Sequence, residues 1–503
     1  MKVAKTALIC CWLLGWMILT PLAFAEPEKE DCPDCPKSEA IDLGDIFVTA
    51  FYGGAVTITP TKTVIDIEKF NKSGSVDRVE DILMHLTGID VLRGTSGADP
   101  QQMVMMRGFD DSRFTIAIDG RTITGPTAGA DTYVDWSSLT TGDIEKIEVI
   151  RGAASAQYEN SQGGIINIIT KKGKKKETLR PDINLTTDYS RFNSFVGRAT
   201  VDGGAGDLGY FMNYGYKESD GYLLNNDYQG YDYSTRVNYL FPFEGNLTLG
   251  LKGSQMEHGF AVVNDPDCTL KVNPKDPAST LLVKDLYDPD YPIVRQDSDT
   301  VRRYRYTSFP GGDNYKNKSA RHMDLAYEQP VKNVRLKFQL YKSAGQEDAF
   351  YYRAVKGDGN GDGVVDPGEL KLEPYFSGGE GRKEAQKGGR FQTIFDQWEN
   401  HNLILGYDQR RMEVENKPDV WRMNALYGED TFNFTPKWSA FYGLRYAHIR
   451  EWTYEYKETA SSPSVRHLLK TVEWLPKSTL TYRFNPDTEL FVSVNRDYHV
   501  PGC

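Results

Sequence analysis

A twelve-residue stretch rich in acidic side chains and glycine holds the residues best suited to bind a metal ion. Its oxygen-bearing positions follow the spacing of an EF-hand calcium loop, namely Asp358, Asn360, Asp362, Val364 through its carbonyl, Asp366 and Glu369. Gly363 lies where such a loop turns sharply, and Glu369 supplies the bidentate carboxylate. The pattern predicts Ca²⁺ as a cofactor, bound in an EF-hand-like loop without flanking helices. A merely acidic, glycine-rich loop is the alternative.

Two cysteines near the N-terminus, Cys32 and Cys35, have the spacing of a redox or metal-binding pair. One such pair supplies only two of the four ligands of a structural zinc site. A local disulfide, formed in an oxidising compartment, is the simpler interpretation. The seven histidines are scattered without metal-ligand spacing, and no nucleophile lies in a pattern with a general base. The sequence therefore predicts that the protein is not an enzyme.

The N-terminus has the features of an export signal. Lys2 and Lys5 precede an apolar stretch over 7–20, and Ala23-Phe24-Ala25 is a small-x-small cleavage site. We expect residues 1–25 to be a signal peptide, with a single anchoring helix as the alternative. Residues 26–44 are polar and charged, so they are expected to form a flexible lead-in.

Composition excludes several classes of protein. The 503 residues include 59 Lys and Arg against 70 Asp and Glu, which gives a net charge of −11. That acidity argues against a nucleic-acid partner, which would require a basic face. The mean hydropathy of −0.52 excludes a bundle of transmembrane helices, and the aromatic content of 12% argues against disorder. A soluble β-rich protein or a membrane β-barrel with a polar lumen remains.

Residues 45–172 have the pattern of a compact mixed α/β domain. Apolar residues recur at helical spacing over 76–86, and glycine-containing turns separate short apolar runs. The predicted strands are 103–106, 114–118, 144–150 and 165–170.

From residue 180 onwards, apolar and aromatic residues alternate with polar ones, as in Val334, Leu336, Phe338 and Leu340. A soluble β-sandwich would show the same alternation, but connection lengths separate the two classes. Short turns alternate with long connections, notably 259–318 and 346–387. Bacterial outer-membrane barrels place short turns at one rim and long loops at the other. We count about 13 strands between 182 and 498 and expect an antiparallel transmembrane β-barrel.

The sequence resembles the TonB-dependent outer-membrane receptors. The resemblance rests on motifs in the family's order: the N-terminal TonB box (Asp45, Ile46, Phe47, Val48, Thr49 and Ala50), Val79–Leu83 with Leu86–Val91, Met106–Phe109, Ile118–Gly120, Ile144–Gly152 and Gly163–Thr170. Two positions depart from it: Thr87 replaces the usual Pro, and Ala156–Asn160 replaces a Leu-Tyr-Gly-like turn.

The resemblance implies a mixed α/β plug domain, here 51–175, inside a 22-stranded transmembrane barrel, of which 180–503 is the N-terminal part. It implies localisation in the outer membrane of a Gram-negative cell, in contact with lipid and lipopolysaccharide. It further implies that periplasmic TonB, working with ExbB–ExbD, pairs with the extended segment 45–50 as an added strand. Since about 13 strands fall short of 22, we expect the chain to be a C-terminally truncated receptor.

The resemblance also implies energised uptake of a scarce metal chelate, bound between the plug loops and the long barrel loops. The candidate ligand-binding residues are Gln101, Gln102 and Tyr133 in the plug and Arg302, Arg303, Tyr304, Arg305 and Tyr306 in a long loop. Alternating cations and aromatic rings suit an anionic, partly aromatic ferric siderophore. A solvated loop or a lipopolysaccharide contact is the alternative for the loop cluster. For the protein, the alternatives are a cobalamin receptor with calcium-ordered loops and, in another class, a secreted calcium-dependent hydrolase or glycan-binding protein.

Overall fold

A computed structural model describes most of the predicted plug and barrel. The described residues are 55–58, 62–71, 76–92, 103–110, 113–123, 125–126, 132–133, 136, 139–151, 155–173, 180–259, 261–268, 271–272, 281–295, 314–356, 370–376, 382–395, 398–414, 417–455, 465–485 and 488–497. The predicted signal peptide, lead-in, TonB box and calcium loop lie outside these ranges, as do 101, 102 and 302–306. Within the described ranges, no helix has both the length and the apolar character needed to cross a membrane.

Residues 55–173 form a small domain around one mixed sheet. Its strands are β1 (Val56–Ile58), β2 (Lys62–Asp66), β3 (Ile89–Leu92), β4 (Met103–Met106), β5 (Thr115–Ile118), β6 (Arg121–Thr122), β7 (Gly125–Pro126), β8 (Thr132–Tyr133), β9 (Ile144–Arg151) and β10 (Gly164–Thr170). The sheet order is β1-β2-β9-β10-β5-β6, in which β10 and β5 are parallel and the other neighbours antiparallel. The β3–β4 and β7–β8 pairs lie outside this sheet.

Two short helices cover this sheet, α1 (Ile67–Phe70) and α2 (Val79–Leu83). The carboxylate of Asp66 caps α1 by accepting from the backbone N–H of Lys69 at 3.1 Å. In α2, Ile82 and Leu83 are fully buried. They join one apolar cluster with the inner faces of β2, β5, β9 and β10, and every member of that cluster lies between residues 56 and 168. The domain therefore has its own hydrophobic core.

Residues 182–495 form a long antiparallel sheet, called here the wall. Its strands are β11 (Asp182–Ser190), β12 (Ser194–Ala205), β13 (Leu208–Ser219), β14 (Tyr228–Leu240), β15 (Asn246–Gly259), β18 (Tyr315–Val331), β19 (Val334–Lys356), β21 (Arg382–Phe395), β22 (His401–Val414), β23 (Lys417–Asn433), β24 (Trp438–Glu455), β25 (Val465–Asn485) and β26 (Thr488–Asn495). These 13 strands pair in chain order, as expected from the sequence. Three minor strands lie in the connections: β16 (Lys271–Val272) and β17 (Leu281–Leu282) pair with each other, and β20 (Leu370–Phe376) pairs with β19.

The two faces of the wall differ as the alternation predicts. On the outward face, Leu340 and Trp474 remain 60% and 54% exposed. On the inward face, which contacts the small domain, Arg445 and Lys477 are fully buried. A polar interior with an apolar exterior is the arrangement of a membrane barrel and the reverse of a soluble sandwich.

The structure corrects two expectations about element length. The predicted connection 346–387 is shorter, because β19 continues to Lys356 and β21 begins at Arg382. Beyond the lipid, neither face of a strand has to be apolar, and strand pairing needs only backbone groups. The apolar alternation that predicts strands is therefore weaker in these two extensions. The helical pattern over 76–86 yields a helix only over Val79–Leu83.

Candidate functional site: the contacts between plug and wall

A turn between β9 and β10, residues 155–161, projects from the small domain onto the inward face of the wall. Asn160 has a φ of +54°, a left-handed conformation that asparagine tolerates better than most residues. This turn includes the segment 156–160 that departs from the family's pattern. Glu429 of β23 accepts hydrogen bonds from the Ser155 hydroxyl at 2.8 Å and the Ala156 backbone N–H at 2.7 Å. The wall therefore holds a turn whose sequence is atypical.

Glu159, at the tip of this turn, lies in a buried cluster of arginines. Its carboxylate forms an ion pair with Arg410 of β22 and another with Arg445 of β24, the second at 3.0 Å. Arg445 also contacts Asp408 at 3.1 Å, and Arg390 contacts the same carboxylate at 3.2 Å. All five side chains are 5% exposed or less. Removing one charged side chain from such a buried cluster strongly destabilises the protein, because it leaves another buried charge without a partner.

Lys477 of β25 fastens the same turn from the other side. Its ammonium group donates to the carbonyls of Ser155 and Tyr158 at 2.8 and 3.0 Å and to the Ser161 hydroxyl at 2.8 Å. Asp497 accepts from the backbone N–H groups of Asn160 and Ser161 at 3.0 and 2.7 Å. Residues far apart in the chain thus enclose one seven-residue turn.

A second group of contacts holds the segment that leads into α2. Arg198 of β12 forms ion pairs with Asp77 of the small domain and with Asp232 of β14, the latter at 2.9 Å. Lys217 of β13 also contacts Asp77, at 3.2 Å, and Thr140 donates to Asp232 at 3.1 Å. Asp77 of the small domain therefore lies between two cations of the wall, Arg198 and Lys217.

A third group lies between these two. Lys252 of β15 contacts Asp143 at 2.9 Å, and Arg236 of β14 contacts Asp119 at 2.8 Å. Arg121 of β6 donates to the Ser343 hydroxyl at 2.7 Å. These pairs extend the polar interface from β14 to β19.

The chemistry of the interface suits a domain that is docked but can be released. The apolar core of the small domain contains none of the wall's residues. The contacts described above join charged and hydrogen-bonding groups, which water can solvate when the two surfaces separate. Undocking at this interface therefore leaves the core of the small domain intact.

One buried acid lies close to this interface. Glu80 of α2 is 1% exposed and forms an ion pair with Arg78 at 3.6 Å. Burial raises the pKa of Glu80 to about 7, although the nearby guanidinium of Arg78 opposes the shift. Its charge state therefore changes near neutral pH.

The structure tests few of the candidate residues from the sequence. The TonB box, the calcium loop, Gln101, Gln102 and the loop cluster 302–306 lie outside the described residues. Tyr133 lies in β8, which pairs with β7. Among the described residues, no group of three or more His, Cys, Asp or Glu side chains is arranged to hold a metal ion.

The sequence predicts polar residues on the inward face of the strands but assigns them no partner. The interface residues were therefore missed. Arg198, Arg236, Lys252, Arg445 and Lys477 alternate with outward apolar residues, so their inward direction was predictable. An excess of charge at positions that face inward is the signal that could have suggested a polar domain inside the wall.

Comparisons with known proteins agree with this arrangement. The family model described as TonB-dependent Receptor Plug Domain matches residues 56–165. This range contains the core of the small domain and the turn that docks on the wall. The small domain is a plug domain.

Two curated relatives are receptors or transporters rather than enzymes. The ferric enterobactin receptor PirA of Pseudomonas aeruginosa is 26% identical over 160 residues, which are 30% of this chain and 22% of that protein. The vitamin B12 transporter BtuB of Vibrio vulnificus is 24% identical over 228 residues, 44% of this chain and 34% of that protein. The chain thus matches about a third of the length of one relative and less of the other.

The solved structure of the ferric-catecholate import receptor Fiu from E. coli K12 has the same fold. It aligns with a TM-score of 0.63 at 16% identity, over 89% of this chain and 71% of that one. This match includes both the plug and the antiparallel wall. The plug-domain match, the receptor relatives and the shared architecture all indicate a TonB-dependent outer-membrane receptor.

Proposed function

We propose that this protein takes up a scarce metal chelate across the outer membrane, and that the chelate is a ferric siderophore. The observation that carries the proposal is a plug domain with its own core, docked on the wall by polar contacts. A domain of this kind occludes the interior while folded and can shift when its docking contacts are broken. Two relatives support the ligand class, since their names describe receptors for ferric enterobactin.

In this proposal the N-terminal segments deliver the energy. Residues 1–25 direct export and are removed, and 26–44 tether the segment 45–50 to the plug. TonB, supported by ExbB–ExbD, adds 45–50 as a strand and pulls, since the outer membrane has no nucleotide supply. The polar contacts of the turn 155–161 with the wall then resist or yield to that force.

The ligand-binding residues proposed are Gln101, Gln102 and Tyr133 of the plug with 302–306 of the long loop. The proposed calcium loop, 358–369, lies in the connection between β19 and β21. In such a connection, a bound Ca²⁺ would order the chain above the ligand. Proteolysis between 357 and 381 tests this: Ca²⁺ should slow cleavage of the wild type, whereas D362N/E369Q should be cleaved equally with and without it. Equal protection by Mg²⁺, or none by Ca²⁺, would remove the calcium assignment.

Uptake by whole cells tests the transport proposal. Gram-negative cells without their own receptors for the two chelates would express this protein and receive radiolabelled ferric enterobactin or vitamin B12. We expect uptake of the ferric siderophore, and its loss in V48P, because proline removes an N–H that strand addition requires. The matched variant S38P in the lead-in should transport normally.

The outcomes separate the alternatives. Uptake of vitamin B12 in place of the siderophore favours the cobalamin receptor, which the relative BtuB supports. Uptake by V48P, or by cells without TonB, that equals the uptake of the wild type in cells with TonB contradicts energised transport. Binding of neither chelate contradicts both ligand assignments.

A further inference from the structure

The wall contacts the turn 155–161 partly through backbone groups of the turn. Arg390 and Arg445 donate to the carbonyl of Gln157 at 3.2 and 3.1 Å. Further carbonyl and N–H groups of the turn are bound as described above. Every residue type offers the same backbone groups, apart from the N–H that proline lacks. These contacts therefore hold a turn of this shape whatever its sequence.

Side chains of the turn make a second set of contacts. The amide group of Gln157 donates to Glu429 of β23 at 2.5 Å and accepts from Gln392 of β21 at 2.8 Å. The Ser161 hydroxyl donates to Asp497 at 2.6 Å. The side chains that bind the wall occupy alternate positions of the turn: Ser155, Gln157, Glu159 and Ser161. Unlike the backbone contacts, these depend on which residues the turn carries.

The wall residues that bind these side chains come from consecutive strands. Each strand contributes one: Gln392 from β21, Arg410 from β22, Glu429 from β23, Arg445 from β24 and Lys477 from β25. Asp497 follows β26 and binds Ser161. The wall thus presents one series of polar groups, ordered by strand, to one short segment of the plug.

Size also limits what fits against the wall. Ala156 is fully buried, and a Cβ added to Gly443 of β24 would lie 2.9 Å from the Cβ of Ala156. The contact therefore needs glycine in the wall and a small residue in the turn. Tyr158 packs with Ala117 and Ile165 in a cluster of the plug. Its ring attaches the turn to the plug, while the residues on either side of it bind the wall.

A turn with other side chains would remove partners from buried polar groups of the wall. Glu429 is 8% exposed and Arg445 is fully buried, so water cannot readily take the place of the turn. A site whose buried groups hydrogen-bond one partner rejects partners without the matching group, because an unpaired buried polar group is costly. The wall therefore discriminates between turn sequences.

Two of the four positions are those at which the turn departs from the family's pattern. Gln157 and Glu159 flank Tyr158, in the place of the Leu and Gly of a Leu-Tyr-Gly-like turn. The side chains of Leu and Gly have no group that could make these hydrogen bonds or ion pairs. Glu159 and its partner Arg410 are separated by 251 residues. The departure in the plug is thus matched by polar groups in a distant part of the chain.

We propose that the wall recognises the turn 155–161 by its sequence, and that Gln157 and Glu159 determine which plug the wall accepts. The recognised segment has an amide at 157, a carboxylate at 159 and hydroxyl groups at 155 and 161. A plug with a different turn would keep the backbone contacts but dock more weakly. The proposal concerns how the interior is closed, and it holds whichever chelate the receptor transports.

Exchanging the two groups of one contact tests the recognition. Q157E places a second carboxylate against Glu429, and E429Q leaves two amide groups facing each other. In Q157E/E429Q the amide and the carboxylate have changed places, so each hydrogen bond of the original contact can form again. The control Q162E adds the same charge one residue beyond the turn, where the side chain accepts from Arg113 of the plug at 3.4 Å.

Hydrogen exchange of the full chain in detergent reports docking at the backbone N–H groups of Asn160 and Ser161. We expect Q157E and E429Q each to accelerate this exchange by roughly 10- to 150-fold, the effect of losing one hydrogen bond to a charged group. The double variant should return to within about threefold of the wild type. Q162E should exchange like the wild type, and amides in β9 and β10 should stay protected throughout.

A further variant tests position 159. E159Q keeps the size of the side chain but removes the charge that pairs with Arg410 and Arg445. Exchange at Asn160 and Ser161 should accelerate more than in Q157E, because two ion pairs are lost.

Three results would overturn the proposal. The first is wild-type exchange at these two amides in either Q157E or E159Q. The second is a double variant Q157E/E429Q that is no better protected than its single variants. The third is an equal loss of protection in β9 and β10, because the side chains of the turn would then support the fold of the plug rather than its recognition.

Discussion

Replacing Lys477 with methionine should release the turn 155–161 from the wall while the plug remains folded. The ammonium group of Lys477 makes three hydrogen bonds to this turn, and its side chain is fully buried. A bond from a charged donor contributes about 1.5–3 kcal/mol, so three contribute roughly 4.5–9 kcal/mol. Since burying the ammonium costs several kcal/mol, the net loss should be about 3–5 kcal/mol.

Hydrogen exchange in detergent measures this loss locally. The backbone N–H groups of Asn160 and Ser161 donate to Asp497 only while the turn is docked. At 1.4 kcal/mol for each factor of ten, their exchange in K477M should accelerate by a factor of roughly 100 to 4,000. Amides in β9 and β10 should keep their protection, because the plug core contains no wall residue.

The matched control is K437M, which removes an exposed lysine from a short turn of the same wall. It should leave exchange at Asn160 and Ser161 unchanged. The reasoning is refuted if these two amides stay protected in K477M. It is also refuted if protection falls equally throughout β9 and β10, since the plug would then depend on the wall for its folding.

Three further predictions concern the plug. Because burial raises the pKa of Glu80 to about 7, the folded state binds more protons than the unfolded state above pH 4.5, so stability should fall by roughly 3 kcal/mol as pH rises from 4.5 to 7. E80Q should remove this slope in urea titrations, and an unchanged slope would assign it to another group. G164A should prevent the plug from folding, because a Cβ there would lie 2.4 Å from the Ile150 carbonyl oxygen; G206A, at a turn with open space, should cost only about 1–2 kcal/mol in the same assay. I82A should destabilise the plug by about 2–5 kcal/mol in urea unfolding, and a loss below 1 kcal/mol would show that the site collapses around the cavity.

Much of the fold was predictable because it depends on local patterns. Apolar alternation predicted the wall strands and the side of each that faces outward. In the plug, the strand Met103–Met106 has the bounds that the sequence predicts. The strand count of about 13 is confirmed, and the family motifs predicted a plug that the family model matches over 56–165. The candidate site was less predictable, since the TonB box and calcium loop are recognisable motifs but the plug–wall contacts carry no motif.

What the sequence determined by itself is each strand's two faces, the plug's apolar core and the resemblance to a family of receptors. Only the tertiary structure decided which side chains meet. Arg198 meets Asp77 across 121 residues, and Lys477 reaches Ser155 across 322 residues. The direction of a side chain follows from its position in the strand, whereas its neighbours follow from strand register and domain docking. Register accumulates over every turn and pairing in the wall, so no local stretch of sequence specifies it.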